Sequence, residues 1–428
     1  MRFRFGLTLS LAVCTMTCHA DLLAGAARVS ITPDTKEFHY QLGGYVAKER
    51  TGHPATGIHD TCYARTIVLS SGTTRVAVVS LDLCFLPANM KSAVLSRIGV
   101  SGVKAAGLFL AATHTHSAPD PLALHSANTG KAGDLSTYDP KLADWMADHI
   151  AQSINEAAAK LTPAKVGSMQ VDKVGLNRNR RGERLTDDQL TVVRVVSVDN
   201  KPLAEIVNYA AHPVYFGPSM MEVSGDWSGS MARILEAKEP GVVALFLNGA
   251  EGDASANGSD EGTSADKITT YAAKLGIAAY ELMMQTRLTI DAKISCWTQT
   301  VQLPPRQPHP FFMLAAAAMR ATPGQAKELV NQTMPTSCEL SFIQIGPLLL
   351  MGFPGEPTAA VGLAAKALAR ERGVAIPAIT ALTNGWLGYL VTAEQYKAGK
   401  YEPTMSFYGE TIGATILEGV KSGLLQHK

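Results

Sequence analysis

Two apolar runs that end in histidine constrain this chain more than any other feature. Gly107-Leu108-Phe109-Leu110-Ala111-Ala112 leads into Thr113-His114-Thr115-His116-Ser117-Ala118-Pro119. The run reads as a buried strand. Two histidines two apart at a strand end point to the same side, the side where an α/β sheet exposes its chemistry. A second run, Ala204–Ala211, ends at His212-Pro213. Imidazoles at two strand ends suggest a metal site, because neutral imidazole is the commonest protein ligand for zinc. A lone strand-end histidine is more often a hydrogen-bonded structural residue. The two runs together, with a matching carboxylate, favour the metal.

The rest of the chain alternates strand-like and helical patterns. Arg75–Leu83, Gly107–His114, Leu190–Val198, Ala204–Ala211, Val242–Asn248, Ala292–Leu303, Cys338–Met351 and Ile379–Thr383 read as strands. Asp139–Leu161, Trp227–Ala237, Ser264–Met284, Phe311–Asn331, Pro357–Glu371 and Glu410–Leu424 read as helices. This is an α/β pattern. No repeat and no linker divides it, although 286–337 reads as a small excursion built of a strand, a Pro-rich turn and a helix. At 428 residues, 46% hydrophobic and 18% charged, the chain can bury a sizeable core. No long basic run points to nucleic acid.

The start of the chain predicts export. Arg2 and Arg4 precede the apolar stretch Gly6–Cys18, and Cys18-His19-Ala20 resembles a cleavage site before Asp21. The stretch is short for a bilayer span. Val13 is too bulky for the residue before a lipid-modified Cys14. Cleavage after residue 20 leaves 36 basic and 37 acidic residues, a net charge near −1. The expected mature protein is periplasmic or secreted. An oxidising compartment makes a Cys296–Cys338 disulfide plausible, since the strands that carry them are expected to pair.

Three more segments follow strands. Asn248-Gly249-Ala250-Glu251-Gly252-Asp253-Ala254-Ser255-Ala256-Asn257 is Gly-rich and polar, as where backbone approaches a ligand, or simply a capped turn. No G-x-S-x-G elbow accompanies Ser255, which argues against an α/β-hydrolase triad. Glu356, in Gly352-Phe353-Pro354-Gly355-Glu356-Pro357-Thr358, is either a charge at a helix start or a ligand at a third strand end. Asn384-Gly385-Trp386-Leu387-Gly388-Tyr389 opens a tyrosine-rich stretch with Tyr396, Tyr401 and Tyr408; for Tyr396, packing is the preferred reading. Asn177-Arg178-Asn179-Arg180-Arg181 is a basic turn in which one arginine can orient a substrate oxygen.

These motifs, in this order, resemble the catalytic domain of the neutral, non-lysosomal ceramidase family. The family's Thr-His-Thr-His-Ser-Gly-Pro is matched at 113–119, its strand-end histidine by His212, and its Pro-Gly-Glu with Thr by Pro354-Gly355-Glu356 and Thr358. Its Gly-Asp-Val-Ser-Pro-Asn becomes 252–257, and its Asn-x-Tyr-x-x-Tyr becomes 384–389. Tyr401-Glu402, Tyr408-Gly409, Gly57-Ile58-His59 with Ala64-Arg65, and Ser224-Gly225-Asp226 also fit. The matches span most of 25–428. Departures are Ala256 for the proline after Ser255, Trp386 for a tyrosine, and Ala118-Pro119-Asp120 for a Gly-rich turn.

The resemblance implies an α/β, mixed-sheet domain over 21–428 with its active site at strand ends; as a further departure, no counterpart of the family's C-terminal immunoglobulin-like domain is expected. It implies zinc held by His114, His212, Glu356 and Tyr389, lowering the pKa of a water towards roughly 7 and polarising an amide carbonyl. His116 would act as acid–base or oxyanion partner, and Arg178 and Tyr401 would hold substrate or developing charge. Ser255 matches the serine assigned as nucleophile in the family, and either that role or a hydrogen bond to substrate stays open. The expected reaction is cleavage of the N-acyl bond of a ceramide-like lipid, with a peripheral membrane contact. Rivals are another N-acyl or ester substrate, such as a sugar or amino-acid amide, and a non-catalytic lipid- or carbohydrate-binding relative.

Overall fold

The computed structural model describes residues 22–426, except 259 and 318. The expected leader, 1–20, lies outside the described residues. Eight strands form one mixed sheet: β1 (Leu23–Ser30), β2 (Tyr63–Ser71), β3 (Thr74–Leu81), β4 (Leu108–Ala112), β5 (Thr162–Asp172), β6 (Gln189–Ser197), β7 (Pro202–Tyr209) and β8 (Val243–Asn248). Their spatial order is β8-β7-β6-β5-β1-β2-β3-β4. The outermost pairs, β3–β4 and β7–β8, are parallel, and the pairs between them are antiparallel. A second sheet runs β9 (Ile294–Gln302), β10 (Ser337–Ile345), β11 (Leu348–Gly352) and β12 (Ile376–Thr380), antiparallel except for β11–β12.

Residue alternation along the strands explains why several read as unbroken apolar runs. In β4, Phe109 and Ala111 join a core shared by both sheets, with Leu245, Leu247, Ile343, Leu348 and Leu350. Leu108, Leu110 and Ala112 point the other way, to Met146 and Ile150 of the helix Pro140–Ala159. In β8, Ala244 and Phe246 face the helices Asp226–Lys238 and Ser264–Met283. The outer side of the second sheet is covered by the helices Ala359–Glu371 and Ile412–Leu424. A strand covered on both faces needs apolar residues at every position.

The eight-stranded sheet coils until its edges meet. Asn248, the last residue of β8, donates to the carbonyls of Thr113 and Ala211, both 3.1 Å, and accepts from the Ala211 amide at 3.2 Å. One buried amide therefore ties together the two loops that carry His114 and His212. Asn384, at φ 57, accepts from Leu110 N and donates to the Leu108 carbonyl, which fixes the 381–389 loop on β4.

Several expectations change. The helix expected over Phe311–Asn331 is two helices, Pro310–Ala315 and Pro323–Thr333. Thr322 caps the second in a capping box with Gln325, and Pro323 stands at its first turn, where its missing N–H costs nothing. Cys338–Met351 is a hairpin turning at Gly346 (φ 55). The disulfide expectation fails. β9 and β10 do pair, but Cys296 sits opposite Ile343 and Cys338 opposite Val301, so the cysteines are five rungs apart, roughly 17 Å along the strands. That exceeds any bridgeable distance, and all four described cysteines are free.

Glu205 in β7 lies opposite Arg194, is 1% exposed, and has no hydrogen bond to either carboxyl oxygen. Burial pushes its pKa up from 4.5 to about 7. An acid whose pKa is raised in the folded state favours folding while protonated. Its contribution is present at low pH and lost as pH rises from about 4.5 to about 7, at most about 3 kcal/mol. Glu205→Gln is expected to melt like the parent at pH 4 and several degrees higher at pH 8; equal Tm differences at both pH values would contradict this origin.

Candidate metal centre

Five loops leave the sheets at one end and carry the candidate residues. His114 follows β4, His212 follows β7, Ser255 follows β8, Glu356 follows β11 and Tyr389 follows β12. β4 stops at Ala112, and His114 takes the left-handed conformation, φ 75, rare for a residue with a Cβ. Its amide donates to the Leu83 carbonyl, and its Nδ1 lies 2.7 Å from the Cys84 carbonyl. The main-chain carbonyl fixes Nδ1 as the protonated nitrogen and turns Nε2 into the site. His212 is held in the same manner, Nδ1 lying 3.0 Å from the Ala254 carbonyl.

The two Nε2 atoms converge on Glu356. Glu356 Oε2 lies 3.3 Å from His114 Nε2 and 3.6 Å from His212 Nε2. It has no hydrogen-bond partner and is buried. The other oxygen, Oε1, accepts from Trp386 Nε1 at 2.8 Å. Thr358 is the N-cap of the following helix, so Glu356 is not a helix cap. Ligand atoms of His114, His212 and Glu356 lie within 4.8 Å of one another. Two imidazole nitrogens and a buried carboxylate oxygen with no hydrogen-bond partner suit a divalent ion such as zinc.

Around this centre the other residues take different positions. Tyr389 Oη is 3.3 Å from His212 Nε2 and accepts from Arg180 Nη2 at 2.9 Å. His116 Nε2 is 3.3 Å from His114 Nε2, and its buried Nδ1 has no partner. The His116 ring meets Tyr45 edge-on, and its carbonyl accepts from buried Arg50. Gly44 (φ 92) packs so closely on that ring that a Cβ would overlap it. Tyr401 meets Tyr389 edge-on, 5.9 Å between centroids. Ser255 pairs through its backbone with His212 and Arg178, but its side chain does not line the cavity described below.

Arg178 is not in the site. Its side chain is exposed on the strand Asn177–Asn179, and Arg180 stands in the place expected of it. Arg180 Nε donates to Glu402 at 2.9 Å and Nη2 to the Gly252 carbonyl at 2.8 Å. Its guanidinium lies 5.6 Å and 5.4 Å from the ring centroids of Tyr389 and Tyr401. Sequence reading also passed over Trp386 as the partner of Glu356, and over Glu251. Glu251 is buried with neither oxygen hydrogen-bonded. Its only sequence signal is a charge inside a Gly-rich turn.

Burial decides most protonation states here. It opposes charge on His114, but the Glu356 carboxylate outweighs it and raises the imidazole well above its ordinary value. Burial and the neighbouring imidazoles His114 and His212 push His116 well below its ordinary value, so it is neutral. Burial and Arg180 bring His212 down to about 3. Glu356 resists burial through His114 and His212 and stays well below the usual carboxylate range. Burial pushes Glu251 well above it, and the charge of Glu356 adds to the effect.

His114, His116, Glu356 and Tyr389 form a polar part of the wall of an open cavity. The remaining wall is mostly apolar and includes Phe85, Leu135, Phe312, Met319, Leu329 and Val330. Segment 286–337 thus supplies an edge strand of the second sheet and two helices over this cavity.

Fold and site together define a mixed-sheet α/β domain with a candidate metal centre in an apolar cavity. The family model described as "Neutral/alkaline non-lysosomal ceramidase, N-terminal" matches residues 22–274, and the chain belongs to that family. Neutral ceramidase of Pseudomonas aeruginosa is 23% identical over 483 aligned positions, covering 92% of this chain and 71% of the relative. Neutral ceramidase of Drosophila pseudoobscura pseudoobscura is 26% identical over 266 positions, 56% of this chain and 36% of the relative. The chain therefore matches only about a third of the length of the fly protein. The crystal structure of the Pseudomonas aeruginosa enzyme superposes with a TM-score of 0.80 at 20% identity, over 95% of this chain and 75% of that one, and shares its fold.

Proposed function

We propose that this chain is a zinc-dependent amidohydrolase that cleaves the N-acyl bond of ceramide-like lipids, giving a fatty acid and a sphingoid base. The observation that carries the reading is the convergence of His114, His212 and Glu356 at a mostly apolar cavity whose wall includes His114 and Glu356. The names of its relatives support it. The reading includes export, on the charged and apolar start of the chain.

His114, His212 and Glu356 would hold the ion, with the Tyr389 hydroxyl beside them. When bound, zinc supplies Lewis-acid polarisation of the amide carbonyl and makes water acidic enough to ionise near neutral pH. The apolar wall takes the acyl chain and excludes water. Water attacks the carbonyl carbon. Neutral His116 takes the proton of that water and returns it to the amine nitrogen as the C–N bond breaks. Arg180, held by Glu402 and Gly252, keeps the Tyr389 hydroxyl aimed at the carbonyl oxygen, where negative charge develops.

Trp386 acts through Glu356. Its N–H holds Oε1 and leaves Oε2 free for the centre. Trp386→Phe keeps the stack on Phe85, 4.2 Å between centroids, and removes only the hydrogen bond. Zinc affinity is expected to fall by roughly 10–100-fold, the usual cost of losing an outer-shell partner. Competition with a metallochromic chelator measures it; unchanged affinity would remove Trp386 from the site.

A substrate panel tests the function itself. Purified zinc-loaded protein is expected to hydrolyse long-chain N-acyl-sphingosine, and to leave N-acetylated sugars and N-acyl amino acids untouched. Hydrolysis of the latter alone would replace the lipid reading with the rival amidase.

A further inference from the structure

Val46 and Tyr401 line the cavity and are also 44% and 55% exposed, so they stand where it opens. The helix Pro310–Ala315 packs against the helix Tyr401–Thr404 beside that opening. Its Phe312 is buried and lines the cavity, whereas Phe311 and Leu314 face solvent at 56% and 71% exposure. These are among the most exposed large apolar side chains of the described residues. The apolar wall of the cavity thus continues over its lip onto the surface.

The segment that carries the exposed helix is basic. No Asp or Glu occurs between 292 and 327, while Arg306 and Arg320 flank the exposed helix in sequence. The Arg320 side chain is 63% exposed even though it pairs with Asp134. Among the described residues no helix is long and apolar enough to cross a membrane. A ceramide-like substrate stays in its bilayer, and one that enters this cavity must leave lipid at the lip.

We infer that the lip formed by Phe311, Leu314, Val46 and Tyr401 docks on a phospholipid bilayer. Phe311 and Leu314 enter the acyl boundary, Arg320 meets lipid phosphates, and substrate passes into the cavity without crossing water. The inference rests on the lipid-substrate reading above, but binding tests it separately from catalysis.

The experiment is flotation of the full chain with phosphatidylcholine–phosphatidylglycerol vesicles, combined with hydrolysis assays. The parent protein is expected to float. Phe311→Ser/Leu314→Ser is expected to lower the vesicle-bound fraction constant by about tenfold or more. Hydrolysis of vesicle-embedded long-chain substrate should fall by about as much, and hydrolysis of a water-soluble short-chain N-acyl analogue should not change. Circular dichroism verifies that the variant is folded. A parent that does not float, a variant that floats equally well, or a parent dimer that the variant dissociates would overturn docking. Hydrolysis of neither substrate by a parent that floats would sink the functional reading and leave docking standing.

Discussion

His114→Ala is expected to abolish stoichiometric zinc binding and to lower kcat/KM for N-acyl-sphingosine by on the order of 10³-fold or more, equivalent to about 4 kcal/mol. The loss follows from the geometry. Glu356 Oε2 has no hydrogen bond and lies between two imidazole nitrogens, 3.3 and 3.6 Å away. Removing the nearer one leaves a two-point site. His114 also holds φ 75, a conformation that costs a residue with a Cβ roughly 1–3 kcal/mol. A second variant, His114→Asn, keeps a side chain tolerant of that backbone, and it too should lose zinc. If His114→Asn bound zinc as tightly as the parent, the assigned ligand set would be wrong.

Arg180→Ala is expected to cost roughly 10²–10³-fold in kcat/KM, the size of effect seen when a charge-stabilising donor is removed from an oxyanion site. Arg178→Ala should change it by less than about threefold, because its side chain is exposed outside the site. Stability separates the explanations. Without Arg180, Glu402 keeps Arg181, whose Nη1 donates to it at 2.5 Å, so no buried carboxylate is left unpaired. Loss of activity with a nearly unchanged Tm therefore reports on chemistry. Equal losses for the two variants, or a larger one for Arg178→Ala, would return the role to the arginine the motif alone indicates.

The same pair of arginines shows where sequence stops. Asn177-Arg178-Asn179-Arg180-Arg181 offers three guanidiniums of one chemical type, and only the end of the short strand at Asn179 and the turn through Gly182 decide which enters. His114, His212 and Glu356 were legible because each follows an apolar strand whose end is visible as a change of composition. The choice between cap and ligand for Glu356 was not, since it depends on Thr358 taking the cap and Trp386 reaching across from another loop.

The fold was legible to a similar degree. Strands buried on both faces, such as β4 and β8, are continuous apolar runs. β1, Leu-Ala-Gly-Ala-Ala-Arg-Val-Ser, was missed because it is built of small residues. Its Gly25 packs on the backbone at Ala157, where a Cβ would collide. β5, Thr-Pro-Ala-Lys-Val-Gly-Ser-Met-Gln-Val-Asp, gives a weak strand signal because polar residues, a proline and a glycine interrupt its apolar positions. The cysteine pairing failed on register, which a sequence without turn constraints between β9 and β10 does not specify.

The most direct test of the account is one preparation of residues 21–428, assayed for bound zinc and for fatty-acid release from labelled N-acyl-sphingosine before chelation, after it, and after zinc is restored. The account predicts close to one zinc per chain, release that disappears with the metal and returns with it, and neither in His114→Ala. Release that persists in fully metal-free protein would contradict it.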